Sequence, residues 1–362
     1  MAQPSNFRIG WMQKFEKTRS ATAWFSSHFK SSPGSRSNGE KVEVEIRRES
    51  RRMAAVSSGA GVTNWRESKK STLKSYTPPN YSEGTIINVQ EDLRPRPFGD
   101  NPYDASYISY ASDLVENIVT EMASIETSIA EALEYQSAQI FQFGKLDLKD
   151  INGVSTFQID YLPNPAHYFT AVSAWSDPST SIVDNLRAAC GLIVDANSMP
   201  SIAMCGENAF QHILRNTEIQ KQGDIRRFET VALAPQALNT KTGARVAGRL
   251  MIGSHELTLM TYNGHYKDPV TGAISKYMDP DLVTVMDPDA RRDRVSCIKP
   301  PPIQPDPRVS HLMPGRISTS EYDLMPNIYV SANNREIRAE LYTNMLMVPI
   351  DLDAHVTIKT TV

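Results

Sequence analysis

Cysteine is scarce and scattered: Cys190, Cys205 and Cys297 form no close pair in a chain of 362 residues. An odd, dispersed set argues against a secreted disulfide framework and points to folding in a reducing compartment. Long apolar runs are missing as well. The longest, at 188–194 and 345–350, are about seven residues, far short of the roughly 20 that cross a bilayer as a helix. Catalytic signatures are also absent. There is no Walker loop, no G-x-G-x-x-G, no G-x-S-x-G and no C-x-x-C, and His255-Glu256 has no histidine four residues on to complete a zincin motif. The seven histidines are dispersed, and His255 and His265 read as strand and turn residues. Neither a catalytic residue, a metal ligand nor a cofactor site is expected.

What is present is an ordinary globular composition, 40% hydrophobic and 22% charged, with length for about two to two and a half domains. The net charge of −3 conceals an asymmetry. Residues 1–75 carry 15 Lys+Arg against 6 Asp+Glu, or +9, which leaves −12 for residues 76–362. Residues 1–39 hold six basic residues, the single acid Glu16 and eight serines. That composition fits a transit peptide, a solvated tail or an arm that docks on another chain. Phe7, Trp11 and Phe15 share one helical face, as a transit peptide would, but nothing marks a cleavage site; a basic arm bearing aromatic residues has the same composition and is favoured, with these three as its docking candidates.

The polar stretch 31–40 is a flexible joint, after which Lys41–Arg47 alternates apolar and charged residues as a strand with one free face. Its return limb is expected at Ser82–Val89. The excursion between them carries Arg48, Arg51, Arg52, Arg66, Lys69, Lys70 and Lys74. Apolar residues from Ile108 to Ile140 then recur every three, four or seven positions, with Glu116, Glu121, Glu126 and Glu131 mostly opposite. This predicts one helix of nearly 40 residues, with Asp104 as N-cap and Gly144 as stop, serving as an architectural strut. Asn152-Gly153 predicts a hairpin between 146–151 and 156–161. Helices at 182–197 and 207–215 alternate with strands at 201–204, 245–251, 256–261 and 282–286, an α/β unit. Pro300, Pro301, Pro302, Pro305 and Pro307 make a stiff connector, and strands return at 327–330, 340–342 and 354–358.

Two charge-based uses compete. Basic clusters near aromatic residues suit non-specific nucleic-acid contact, without any recognition motif beside them. Alternatively, the basic excursion of one chain pairs with the acidic body of the next, a heterologous contact that builds closed assemblies. The second use is favoured for residues 41–76. Candidate contact residues are Arg47, Arg48, Arg51, Arg52 and Arg66, with Asp279, Asp281, Asp287 and Asp289 as acceptors. The competing reading of those aspartates is a pair of Asp-Pro turns bracketing the strand at 282–286. A third possibility is an α/β enzyme whose site converges from dispersed residues.

Several stretches resemble the major capsid proteins of tailed phages, within them the lambda-type capsid protein E family. These are Tyr76-Thr-Pro-Pro79, Trp175-Ser-Asp-Pro178 with Ile182 and Asp184, Tyr262-Asn-Gly-His-Tyr266, Tyr277-Met-Asp-Pro-Asp281 before the strand 282–286, Arg335-Glu-Ile337, Met345-Leu-Met-Val-Pro349 and Asp351-Leu-Asp353. Their order spans 41–362. The resemblance implies an α+β, HK97-like phage capsid fold: N-terminal arm 1–40, extended E-loop hairpin 41–90, P domain 91–164 with a spine helix at about 104–143, A domain 165–295, and connector with return to the P domain 296–362. It implies a non-enzymatic shell protein that self-assembles as hexamers and pentamers into an icosahedral head. Its partners would be copies of itself, a scaffold, a portal, a decoration protein and, non-specifically, packaged double-stranded DNA, with no membrane. It would assemble in the host cytoplasm and reside in the virion. Lys69, Lys70 and Lys74 resemble loop lysines of crosslinking relatives, but the lambda-type family is not generally of that kind and no crosslink is expected.

Overall fold

The computed structural model describes residues 23–31, 36–37, 41–46, 72–88, 107–223, 231–232, 243–297, 324–331 and 336–361. Strands β1 (Arg36–Ser37), β2 (Val42–Ile46), β3 (Thr72–Tyr76) and β4 (Tyr81–Asn88) precede helix α1 (Tyr107–Phe143). Next come β5 (Lys145–Lys149), β6 (Ser155–Asp160), β7 (Tyr168–Thr170), α2 (Ile182–Asp195), β8 (Ile202–Cys205), α3 (Glu207–Arg215) and α4 (Thr217–Gly223). Then follow β9 (Val231–Ala232), β10 (Ala244–Ile252), β11 (His255–Tyr262), β12 (His265–Lys267), β13 (Ile274–Lys276), β14 (Leu282–Met286) and β15 (Arg292–Cys297). The chain closes on β16 (Met325–Val330), β17 (Glu336–Thr343), β18 (Met345–Pro349) and β19 (His355–Lys359).

Helix α1 runs 37 residues, about 55 Å at 1.5 Å per residue. Gly144 stops it with a left-handed φ of 63° while its N–H still reaches the Ile140 carbonyl at 2.8 Å. A Cβ at Gly144 would also meet Pro163 and Tyr168. Asp104, expected as its N-cap, lies outside the described residues. The helix is not a one-faced strut. From Leu133 to Gln142 nearly every side chain is buried, Glu134, Gln136, Ser137 and Gln142 included. Glu126, expected on the solvent side, is also buried. The reason is that strands lie on several sides of α1: β4 and β17, β18, β5, and β14 with β19. A helix enclosed this way must bury polar positions along with apolar ones.

A mixed seven-stranded sheet, order β7-β19-β14-β8-β11-β10-β9, forms the second core. Ile182, Val183, Leu186, Ala189, Cys190 and Ile193 of α2 pack on it at helical spacing, against Val283, Val285, Val356 and Ile358. The closing segment is shared between layers. Strand β18 pairs with β15, whereas β19 lies in the large sheet between β14 and β7.

The hairpin expectation needs correction at its return limb. Strand β2 pairs with β3, Val42 opposite Tyr76 and Ile46 opposite Thr72. The segment expected to return, β4, pairs instead with β17, Ile87 opposite Ile337 and Tyr81 opposite Thr343. Ile87, Ala339 and Leu341 are buried beneath that pairing, which holds β4 against β17 through eight paired positions. At Asn152-Gly153 the chain reverses as a hairpin, through a five-residue loop between Lys149 and Ser155 with a register shift at Leu148/Lys149.

Candidate assembly site

The residues singled out by charge and pattern are distributed unequally. Phe7, Trp11, Phe15, Arg47, Arg48, Arg51, Arg52 and Arg66 lie outside the described residues. The four aspartates sit at the two ends of β14. Asp279 Oδ1 accepts the Asp281 N–H at 2.9 Å, and Asp281 Oδ1 accepts Asn208 Nδ2 at 2.9 Å. At the far end Asp287 accepts the N–H groups of Met199 and Asp289, both at 2.9 Å, while Asp289 is exposed. Both Asp-Pro-Asp turns therefore cap strand ends within the chain. Among the described residues no group of His, Cys, Asp and Glu could hold a metal ion. Burial pushes the Cys190 and Cys205 thiols up to about 11 and about 12, so they stay protonated at neutral pH.

The densest polar constellation was not anticipated. Glu134, fully buried on α1, accepts three consecutive backbone N–H groups, from Trp24 at 3.0 Å, Phe25 at 2.8 Å and Ser26 at 2.8 Å. Tyr262 donates a fourth bond, O–H to Oε1 at 2.8 Å. Successive N–H groups turned one way form an anion-binding nest, and the carboxylate fills it. Burial raises the Glu134 carboxyl above its ordinary range, with the Ser26, Phe25 and Tyr262 donors opposing the rise. Around the nest Phe25 meets Phe141 at 5.5 Å and Tyr262 at 5.3 Å between ring centroids, and Phe29 meets Phe141 at 5.9 Å. The segment then lies along β15: the Lys30 N–H reaches the Arg292 carbonyl, Arg294 N–H returns to Lys30, and β1 pairs parallel with Ser296–Cys297. The N-terminal segment is thus pinned to its own chain at Trp24–Lys30. A signal for this existed in the sequence, since Ala130, Glu134, Ala138 and Phe141 form a second stripe at spacings of four and three, with a carboxylate inside it.

Two turns beyond Glu134, the C-terminal end of α1 meets a cationic junction. Arg292 is buried with its guanidinium 4.8 Å from the Phe141 ring centroid, and it donates to the carbonyls of Asp287 and Ala290. Burial lowers it to about 10, with Asp287 and Asp351 opposing. His355 is fully buried and shares a 2.8 Å bond with the Tyr168 hydroxyl. Burial first, then Arg292 and His167, hold His355 down at about 3. Burial likewise lowers His28 to about 4, with Arg292 and Lys30 contributing.

Glutamines of α1 clip the sheets to the helix. Gln142 accepts the Asp279 N–H at 2.9 Å and donates to the Tyr277 carbonyl at 2.8 Å, while Gln139 brackets the backbone of Asp147 from both sides. Gly264 lets the loop after β11 fold over Tyr262, whose ring atoms would lie 2.3–2.5 Å from any added Cβ. Trp175 is buried, its backbone N–H bonded to the Thr360 carbonyl, and the Pro178 carbonyl accepts from Asn216 and Thr217. The recognisable stretches around Trp175, Tyr262 and Tyr277 are thus corners of the framework. What the arrangement does is tie a long helix, a docked N-terminal segment and two sheets together through buried hydrogen bonds and ring contacts.

Comparison with known proteins agrees. The family model described as phage major capsid protein E matches residues 32–360. Among solved structures, a protein assigned as a prophage capsid protein of E. coli CFT073 superposes with a TM-score of 0.64 at 13% identity, covering 99% of each chain. A phage-related protein of Bordetella bronchiseptica RB50 superposes with a TM-score of 0.53 at 10% identity, covering 97% of this chain and 96% of that one. No curated protein matches the chain by sequence. The chain belongs to the phage major capsid protein E family and is a structural component of the virion with the HK97-like capsid fold.

Proposed function

We propose that this chain self-assembles as hexamers and pentamers into a closed icosahedral head around double-stranded DNA, and that it catalyses no reaction. In that reading residues 1–40 are the arm, 41–90 the E-loop, 91–164 the P domain, 165–295 the A domain and 296–362 the connector and return. The observation that carries the proposal is the ribbon β2–β3. Among the described residues its two strands pair only with each other. Its base is anchored, Val42 buried and the Tyr76 ring 5.6 Å from Tyr161. The 25 residues joining its limbs hold seven Lys+Arg against Glu49 and Glu67. A ribbon whose limbs are joined by a strongly basic stretch suits contact with another copy, whose residues 76–362 are acidic. Scaffold, portal and decoration protein are the expected partners, and the host cytoplasm the place of assembly.

Reversing Arg47, Arg48, Arg51 and Arg52 to Glu tests the contact. Lost assembly of an otherwise folded subunit is expected. Normal shells with reduced DNA content would instead assign the basic segment to nucleic acid and overturn the intersubunit reading.

A further inference from the structure

Two hairpin tips lie side by side and are built alike. In the first, Asp150 accepts the N–H groups of Asn152 at 2.9 Å and Val154 at 3.0 Å, and Gly153 turns the chain at φ 80°. In the second, Asp268 accepts from Val270 at 2.8 Å and Thr271 at 3.3 Å, and Gly272 turns it at φ 70°. The Asp268 N–H reaches the Ala273 carbonyl and the Asp150 N–H that of Val154, so each loop is closed across its mouth. These bonds, the Val154 and Val270 amides foremost, hold both carboxyls below their usual range. The tips touch: a Cβ placed on Gly153 would lie 3.2 Å from Val270.

Such tight loops ordinarily present polar side chains, yet these present apolar ones. Ile151 is 78% exposed, Ile274 75%, Val154 61% and Val270 39%. Together they leave roughly 400 Å² of apolar surface, within the range of patches that mark contact sites. A stable one-to-one complex buries about 800 Å² on each partner. This patch supplies about half of that, too little for a lasting pair but suitable for a contact repeated many times around a closed shell. Because both loops are already fixed by their own hydrogen bonds, docking on them costs little ordering entropy. We propose that the paired tips at Ile151–Val154 and Val270–Ile274 form a hydrophobic contact with a second copy of this chain in the assembled shell. The proposal rests on the shell-forming reading above but uses a surface separate from the basic ribbon.

The test has two arms. Ile151→Asp with Ile274→Asp changes only exposed side chains, so the circular dichroism spectrum and melting temperature of the subunit are expected to stay unchanged while the assembled fraction falls at least tenfold. Assembly at the normal level would overturn the proposal. In the second arm a photo-crosslinking residue at position 274 is expected to give products at multiples of the 40.4 kDa chain. Products with a protein of another mass, or none, would overturn it. Should the unaltered chain form no shells, the shell reading fails by itself, and self-crosslinking in concentrated solution still decides the fate of the patch.

Discussion

At the scale of single residues, Glu134 and Gly206 show how few atoms position the framework. Glu134→Gln keeps the shape but turns an N–H donor toward the Ser26 N–H, which sits 2.8 Å from Oε2. The substitution should cost about 1–3 kcal/mol, the scale of a buried donor left unpaired. Hydrogen exchange should report it as lost protection of the Trp24–Ser26 amides with the α1 amides unchanged; retained protection would show that the nest does not hold the segment. At Gly206 a Cβ would lie 2.3 Å from the Asp279 carbonyl oxygen and 2.4 Å from that of Pro280. Gly206→Ala therefore pushes the start of α3 off β14 and should cost about 1–3 kcal/mol as overpacking, read by urea unfolding. Neither residue stands out by type in the sequence. A glutamate on a helix reads as surface by default, and its burial follows only from a segment about 110 positions away.

Among elements, the strongest acid dependence belongs to the junction of the N-terminal segment, the end of α1, β15 and β19. His28 and His355 are held neutral, at about 4 and about 3, against an ordinary value of 6.5. The unfolded chain therefore binds more protons than the folded one below pH 6.5, so their stability contribution is complete above that value and is lost as pH falls toward 4 and then 3. Each contributes a slope of about 1.4 kcal/mol per pH unit in that window. Glu126, raised to about 7 by burial, works the other way above its ordinary 4.5, as do Glu83, Glu131 and Glu134, which burial also raises, so the histidine effect is read from the difference that His355→Gln makes. Urea titrations of the unassembled subunit at pH 7 and pH 5 should show the loss, and His355→Gln should flatten it; an unchanged slope would contradict the buried-neutral assignment. Elements with local periodicity were legible in the sequence. Helix α3 and strand β14 occur at their expected bounds, and α1 and α2 within three residues of theirs. The partner of β2 was not legible, because β4 has equally good strand patterning and its true mate, β17, lies some 250 residues on. Strand β15 was missed for a different reason. Arg292-Asp-Arg-Val-Ser-Cys297 looks like surface, yet Arg292 and Arg294 are buried, Arg292 against Phe141 and backbone carbonyls.

For the whole molecule, the chain is woven so that no single cut separates its layers. The N-terminal segment extends the sheet of β15 and β18, and nine residues after Leu346 the chain enters β19 in the seven-stranded sheet. Deleting residues 355–362 would open that sheet between β14 and β7 and expose Val283 and Val285. No soluble folded subunit is expected, as judged by circular dichroism; a folded truncation would show that β19 is dispensable. The family was legible in the order of its stretches, whereas the candidate contact residues were legible only as charge. The aspartates have turn-forming work inside the chain, and the hydrophobic tips are visible only when two hairpins whose loop aspartates, Asp150 and Asp268, lie 118 residues apart are seen together. The charge asymmetry and the ribbon β2–β3, whose strands pair only with each other among the described residues, fit the proposed tile that overlaps its neighbours. That claim is tested most directly by imaging and sedimenting the 40.4 kDa chain after co-expression with its scaffold. Closed particles of uniform size built from many copies are the predicted result, and a chain that sediments only as a monomer or small oligomer would contradict it.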